Sequence, residues 1–383
     1  MYRLYYMGLE PANATYTLHL TDWNTAAFER RGLNYVVVPG ESLNDDNDAY
    51  SHSYYAMSQM MNLVRLLKAG ELNKYDVIYF ENMFHPGIES LPYILNKLSI
   101  DHRPKIYVRC LAQTIDPDDW THQNNMREWM SHYEHLVNTF VTGIIAPNEE
   151  MVANMKVAGW KAPIYNVSGL PYDKQFVLNC VDNEIKPFAH RHMRVMFAGR
   201  WDSEKQPDFY MDFIEEWASR FGNNVEFVLS CGGPLRTNNM DLMERTFKLV
   251  DENKLVVHEN LEKTSYYHLL NNSRVLFNCS LQDWTSNSLS EADSLGCNVL
   301  YPAYRSFPEA FSNDHTRLYV PWSIEDAITK IHDLLQRPHL KMGEISDYNN
   351  GTLDRIINIL EGKGRFFNRD DKDYRKHVRH GKF

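Results

Sequence analysis

Cysteine is scarce in this chain. Cys110, Cys180, Cys231, Cys279 and Cys297 are scattered over 383 residues, and none forms a C-x-x-C. An odd, dispersed set speaks against a disulfide framework or a zinc site and points to a reducing, cytoplasmic setting. Long apolar runs are missing too. No stretch reaches the ~18 apolar residues of a membrane span, and residues 1–8 lack the apolar core of a signal peptide. Positive charge is in deficit: the formal net charge is -10. No broad basic field therefore favours nucleic acid or an anionic membrane. G-x-S-x-G, H-E-x-x-H and the P-loop are absent, which removes support for serine hydrolase, zincin and P-loop NTPase readings.

The charge that is present is uneven. From Lys363 to Phe383 eight Lys/Arg stand against three Asp, net +5, so the remainder carries -15. Phe366, Phe367 and Tyr374 are interleaved with those cations. Such a tail suits solvated disorder, and it also suits an arm that stacks on bases and meets phosphates.

Apolar residues make up 43% of the chain, enough for two domains with cores of their own. Short strand-like runs (Tyr2 to Met7, Tyr35 to Val38, Val77 to Phe80, Lys105 to Leu111, Gly143 to Ala146) alternate with helical spacings (Leu18 to Arg31, Tyr54 to Leu67, Leu91 to Leu98, Met126 to Phe140). A strand within Pro163 to Pro171 ends this series. A polar stretch, Asp173 to His192, reads as an interdomain linker. A second alternation follows, with strands at Arg194 to Ala198, Val225 to Ser230, Leu255 to His258, Val275 to Cys279, Val299 to Tyr301 and Leu318 to Val320. Its helices are expected at 207–221, 241–250, 264–271, 287–295 and 324–335, with a last one at 348–360. Such alternation predicts parallel sheets with helices on both faces. The expected division is residues 1–168, residues 169–345, and a return helix with a basic tail at 346–383.

The most informative stretch is 272–308. A buried strand leads through a polar loop into a helix beginning near Ser286 and stopped by Gly296. In open α/β sheets ligands gather where strands end and the next helix begins. That position holds Asp283, Thr285, Ser286, Asn287 and Ser288, with Glu291 one turn into the helix. A carboxylate there can accept the vicinal hydroxyls of a ribose. Upstream, F-A-G-R-W-D-S-E-K (197–205) sets Arg200 and Lys205 about the turn at Gly199, where cations can grip a diphosphate. S-C-G-G-P (230–234) places Gly233 after another strand, where backbone can approach a ligand closely. Each motif alone has a bland explanation: a surface loop, an ordinary strand–helix turn, a helix carboxylate in a surface ion pair. His19 and His85 likewise read as structural when taken singly.

Together and in order, these motifs resemble retaining GT-B glycosyltransferases of the family 4 type. Asn166 to Asp173 stands in the place of their domain-joining motif. Gly199, Arg200 and Lys205 match G-R-x-x-x-x-K. Cys231 to Pro234 matches a reduced G-x-G-P, and Asp283 with Glu291 keeps the E-x(7)-E spacing with Asp for the first Glu. The resemblance implies two Rossmann-like, doubly wound α/β domains facing across a cleft. It implies a nucleotide diphosphate sugar as donor, UDP-sugar being the first choice, with no metal or other cofactor required. Arg200 and Lys205 would hold the diphosphate, Glu291 the ribose, Asp283 the donor sugar, and the amides at Ser286 to Ser288 would add to phosphate stabilisation. Gly199 and Gly233 would admit the ligand.

The likeness fades in the first half. The family's glycine loop after the first strand is replaced by Gly8 to Asn13, and its usual histidine position reads Leu111 to Asp116. Asp116, Gln113 or His85 is then the candidate for contact with the acceptor. For that acceptor the sequence leaves two choices. One is a hydroxymethylated pyrimidine in double-stranded phage DNA, which the aromatic, basic tail favours. The other is a glycan, lipid-linked sugar or small molecule. A non-catalytic nucleotide-sugar-binding protein is a further alternative.

Overall fold

A computed structural model describes residues 2–12, 17–43, 49–237, 239–281, 283 and 286–364. Of the basic tail read from the sequence at Lys363 to Phe383, residues 365–383 lie outside the described residues, as does Thr285.

Among the described residues, twelve strands form two six-stranded sheets. The first contains β1 (Leu4–Met7), β2 (Tyr35–Val37), β3 (Val77–Phe80), β4 (Lys105–Arg109), β5 (Gly143–Ala146) and β6 (Ile164–Asn166), in the order β2-β1-β3-β4-β5-β6. The second contains β7 (His192–Ala198), β8 (Glu226–Ser230), β9 (Val256–His258), β10 (Ser273–Phe277), β11 (Asn298–Pro302) and β12 (Leu318–Tyr319), in the order β12-β11-β10-β7-β8-β9. Every pairing is parallel. In each sheet the order reverses beside the first strand of the series, the topological switch point at which such sheets bind ligands. β1, β3, β5 and β11 are buried along their whole length, as strands covered by helices on both faces must be.

The chain divides into two compact units. One comprises the residues up to Pro171 together with those from Gly351; the other runs from Tyr172 to Asn350. The first unit is thus discontinuous in sequence. The helix Thr352–Leu360 closes it: Arg355 Nε donates to Val167 O (2.7 Å), and Arg31 Nη2 donates to Asn358 Oδ1 (2.8 Å) and approaches Glu361 Oε2 (3.3 Å).

Three local expectations change. The stretch 173–192 is no irregular linker. Asp173 caps a helix, Lys174–Asn179, by accepting Phe176 N (3.0 Å). Arg191, within this stretch, is buried and donates to the carbonyls of Lys186, Ser273 and Leu295. A helix at Glu149–Val157, which the sequence reading passes over, is capped by Asn148 through Met151 N (2.8 Å) and buries Met151, Val152 and Met155. The single helix expected at 348–360 is two, Glu344–Asn350 and Thr352–Leu360, interrupted at Gly351.

Candidate functional site

In the second unit the C-terminal ends of β7, β8 and β10 lie at the centre of the sheet. Gly199 follows β7, and its amide donates to Ser230 O at the end of β8 (3.1 Å). A Cβ on Gly199 would meet only the Phe197 ring, at an ordinary 3.5 Å, and one on Gly233 would meet nothing within 4 Å. Neither glycine is demanded by the protein's own packing. What both keep clear is the space beyond the strand ends, as a close backbone approach to a ligand requires.

Arg200 leaves that turn with its side chain 58% exposed. Its guanidinium reaches Asp202 (3.2 Å) and the buried Glu204, so two carboxylates of its own loop hold it in place. Glu204 O in turn accepts Leu281 N (3.0 Å), tying the loop after β7 to the loop after β10. Across that tie Lys205 Nζ stands 3.7 Å from Asp283 Oδ1. Two residues 78 positions apart in sequence (283 − 205) are thereby brought together.

The helix Asn287–Ser294 starts beside this pair. Ser286 occupies its N-cap position, but its hydroxyl makes no cap bond to the helix amides. It pairs instead with Ser288 Oγ (2.8 Å) and Tyr301 Oη (2.9 Å). Burial pushes the Tyr301 phenol up, so it remains a neutral hydroxyl. Ser286 thus gives the first amides of the helix no side-chain acceptor, which is how a helix N-terminus presents itself to an anion. Asn287 and Ser288 are half-buried in that first turn.

Glu291, one turn on, is almost fully buried. Its Oε1 accepts from Lys263 Nζ (2.9 Å) and Tyr267 Oη (3.2 Å). Lys263 sits over the Tyr266 and Tyr267 rings at 5.0 and 5.4 Å. The carboxylate is fixed through one oxygen by a cation that is itself held between aromatic faces. The rest of the helix is anchored too. Asp293 accepts Gly343 N (3.0 Å) and Ser346 N (2.9 Å), and Ser290 Oγ accepts from Asn349 (2.6 Å).

Strand ends in the first unit look different. Asp116, named from the sequence as a catalytic candidate, is buried in a turn and accepts Asp118 N (3.0 Å). Gln113 is buried and donates to Met151 O (3.1 Å). His85 is buried against Gln59 Oε1 (3.0 Å) and Pro86 O (2.9 Å), and burial lowers its imidazole to about 4. In the loop after β1, Glu10 accepts Ser51 Oγ (2.7 Å) and stands 2.8 Å from His52 Nδ1. Deepest of all is an ion pair. Glu81 follows β3 and Arg109 ends β4; they meet at 2.8 Å with essentially no solvent exposure. The Tyr6 and Tyr79 rings are buried in the same region and stack on each other at 5.8 Å. Burial pushes Glu81 up, and Arg109 offsets part of that rise.

No family model matches the chain, and no curated protein matches it in sequence. Solved structures do match. Sucrose-phosphate synthase from Thermosynechococcus elongatus superposes with a TM-score of 0.64 at 11% identity, covering 99% of this chain and 100% of that one. The α,α-trehalose 6-phosphate synthase from Burkholderia multivorans gives 0.62 at 12% identity, over 94% and 97%. Anabaena HepE, solved with UDP and glucose, gives 0.57 at 13%, over 95% and 98%. The fold is GT-B.

Within the GT-B frame the residues singled out from the sequence fall into two groups. Gly199, Arg200, Lys205, Gly233, Asp283, Ser286, Asn287, Ser288 and Glu291 all belong to the second unit, and Asp116 belongs to the first. Sequence reasoning missed Lys263 and Tyr267, which sit on the neighbouring helix Lys263–Asn271 and announce themselves by no motif. It also missed Glu81 and Arg109. Their one signal is a charge at the end of an apolar strand.

Proposed function

We propose that the protein is a retaining glycosyltransferase that moves a sugar from a nucleoside diphosphate sugar to a hydroxyl acceptor. The observation that carries this reading is the Lys205–Asp283 pair beside a helix N-terminus that lacks a side-chain cap, with Glu291 fixed one turn on. Arg200 and Lys205 bind the diphosphate as cations, and the helix amides add their partial positive charge. Glu291 accepts from the ribose. Asp283, steadied by Lys205, accepts from hydroxyls of the donor sugar. UDP is the favoured nucleotide, since structures of the same fold hold it.

In the reaction the bond from the sugar's anomeric carbon to the diphosphate breaks, and its electron pair leaves with the diphosphate. The acceptor oxygen bonds to that carbon on the face just vacated, and its proton passes to a departing phosphate oxygen. No protein nucleophile takes part. The work of Arg200, Lys205 and the helix N-terminus is to stabilise charge as it develops on the leaving group.

For the acceptor we favour a sugar or sugar phosphate hydroxyl, by analogy with the sucrose- and trehalose-phosphate synthases of the same fold. The hydroxymethylated pyrimidine of DNA gains no support from the described residues. Asp116 and His85 are spent on internal hydrogen bonds in this structure, so neither is assigned a proton-transfer role. Calorimetry with UDP tests the donor site: native protein should bind, and Lys205→Ala should bind at least about tenfold more weakly. Mass spectrometry on UDP-sugars mixed with sugar phosphates, glycans and hydroxymethylated DNA then identifies the acceptor. Absence of UDP binding by the native protein would sink the reading.

A further inference from the structure

The helix Ala49–Ala69 in the first unit packs one face inward through Ala56, Gln59, Met60, Leu63 and Leu67. Its outer face is not polar. Tyr50, Tyr54, Met57 and Met61 are 81%, 42%, 56% and 59% exposed. Their spacing of four, three and four residues puts them on one narrow stripe, which Val64 and Lys68 continue. A 3.5-residue repeat of this kind is the seam of a two-helix contact, not the broader stripe by which a helix joins its own core. Over residues 50–68 the stripe is about 27 Å long.

Charge is distributed along it with a direction. Near its start the Tyr54 hydroxyl donates to Glu41 Oε2 (3.2 Å), and Glu41 is exposed. At its far end stand Arg65 and Lys68, both exposed. One end is acidic and the other basic, so the stripe complements a copy of itself running the opposite way. A two-fold axis at Met57 sets Met57 on Met57, Tyr50 opposite Val64 of the second copy, and Glu41 toward Arg65 of the second copy. The apolar seam and the charges call for the same axis. A lipid surface is a poorer match: a helix lying on a membrane carries cations along its polar flanks, whereas here the cations are confined to one end and the other end is acidic.

We infer that this stripe is the interface of a two-fold homodimer in which the helices of two copies pack antiparallel about Met57. An isologous patch must be self-complementary, and this one is so in both shape repeat and charge.

Sedimentation equilibrium on the full chain should give a dimer. Met57→Glu sets two carboxylates face to face on the axis and should raise the dimer dissociation constant by about a hundredfold or more. Glu41→Lys alone and Arg65→Glu alone should each weaken the dimer, and the two together should restore it. Met57→Cys should cross-link the two copies on oxidation. All these side chains are exposed, so circular dichroism should be unchanged; if Met57→Glu fails to fold, the Glu41/Arg65 exchange decides. A native chain that is monomeric throughout overturns the inference, as does a Met57→Glu protein that remains dimeric. Flotation of a monomer with anionic vesicles, lost in Met57→Glu, would overturn it in favour of a lipid surface.

Discussion

The two units share one architecture and treat the ends of their strands in opposite ways. In the first, the positions where a ligand is expected are filled by the protein's own polar groups. Glu81 meets Arg109, His85 meets Gln59, Glu10 meets Ser51 and His52, and Glu134 accepts both Thr114 N and Thr114 Oγ1 at 2.7 Å. In the second, the strand ends are left open. Two glycines have free space above them, Arg200 is exposed, and a helix N-terminus lacks its side-chain cap. One fold plan thus gives one end whose charged and polar side chains are buried against one another and one whose polar groups are left toward open space. The difference lies in the residues just past each strand, not in the strands.

The comparison can be broken most severely in the first unit. Arg109→Met strands a buried carboxylate and should destabilise the protein by about 3–5 kcal/mol, whereas the joint change with Glu81→Leu should recover most of that. Urea unfolding of the single and double variants measures both. In the second unit, Arg200→Ala removes a half-exposed cation from Glu204 and should cost clearly less stability than Arg109→Met, while lowering kcat/KM by the equivalent of about 2–4 kcal/mol. A comparable loss of stability in that variant would mean that the open end is structural after all.

A smaller effect comes from pH. His85 has an ordinary value of 6.5 and is lowered to about 4 by burial, so the unfolded chain takes up the proton first as pH falls. The stability it contributes is present above pH 6.5 and lost on descent toward 4, up to about 3 kcal/mol in all. Unfolding measured across that range should show the slope, and His85→Gln should flatten it. Smallest is Gly199→Ala. With no clash and no left-handed backbone to oppose the methyl, stability should hold or rise by about 0.4–1 kcal/mol. UDP affinity should nevertheless fall, because the methyl enters the space the glycine keeps clear. Unchanged affinity would mean that the space serves no ligand.

The sequence made the second unit's open end legible and left the first unit's closed end obscure. Open-end residues sit in short local patterns: a glycine after an apolar run, a cation one or six residues later, an acid one turn into a helix. Gly199, Arg200, Lys205 and Glu291 could be picked out because each pattern fits within a few residues. The closed end is assembled from pairs far apart in sequence. Glu81 and Arg109 are 28 residues apart (109 − 81), and Glu10 and Ser51 are 41 apart (51 − 10). Neither member of such a pair marks its partner. The same reason hid Lys263 from Glu291 and Arg191 from Leu295. Strand and helix positions were read to within a few residues almost everywhere, because periodicity is local. Short helices were passed over, among them Glu149–Val157 and Lys174–Asn179, whose start depends on one capping side chain, Asn148 or Asp173, and Trp120–Gln123 and Phe307–Ala310, of one turn each.

The discontinuity of the first unit bears on how the protein is made. Its sheet is the first to leave the ribosome, yet Arg355, Asn358 and Glu361, which bond Val167 and Arg31, leave only after the entire second unit. Domains that fold during synthesis do so in order of emergence. Here the later unit can finish before the earlier one is sealed. Throughout translation of residues 172–350 the nascent chain carries an N-terminal sheet with all six strands made and its closing helix still to come.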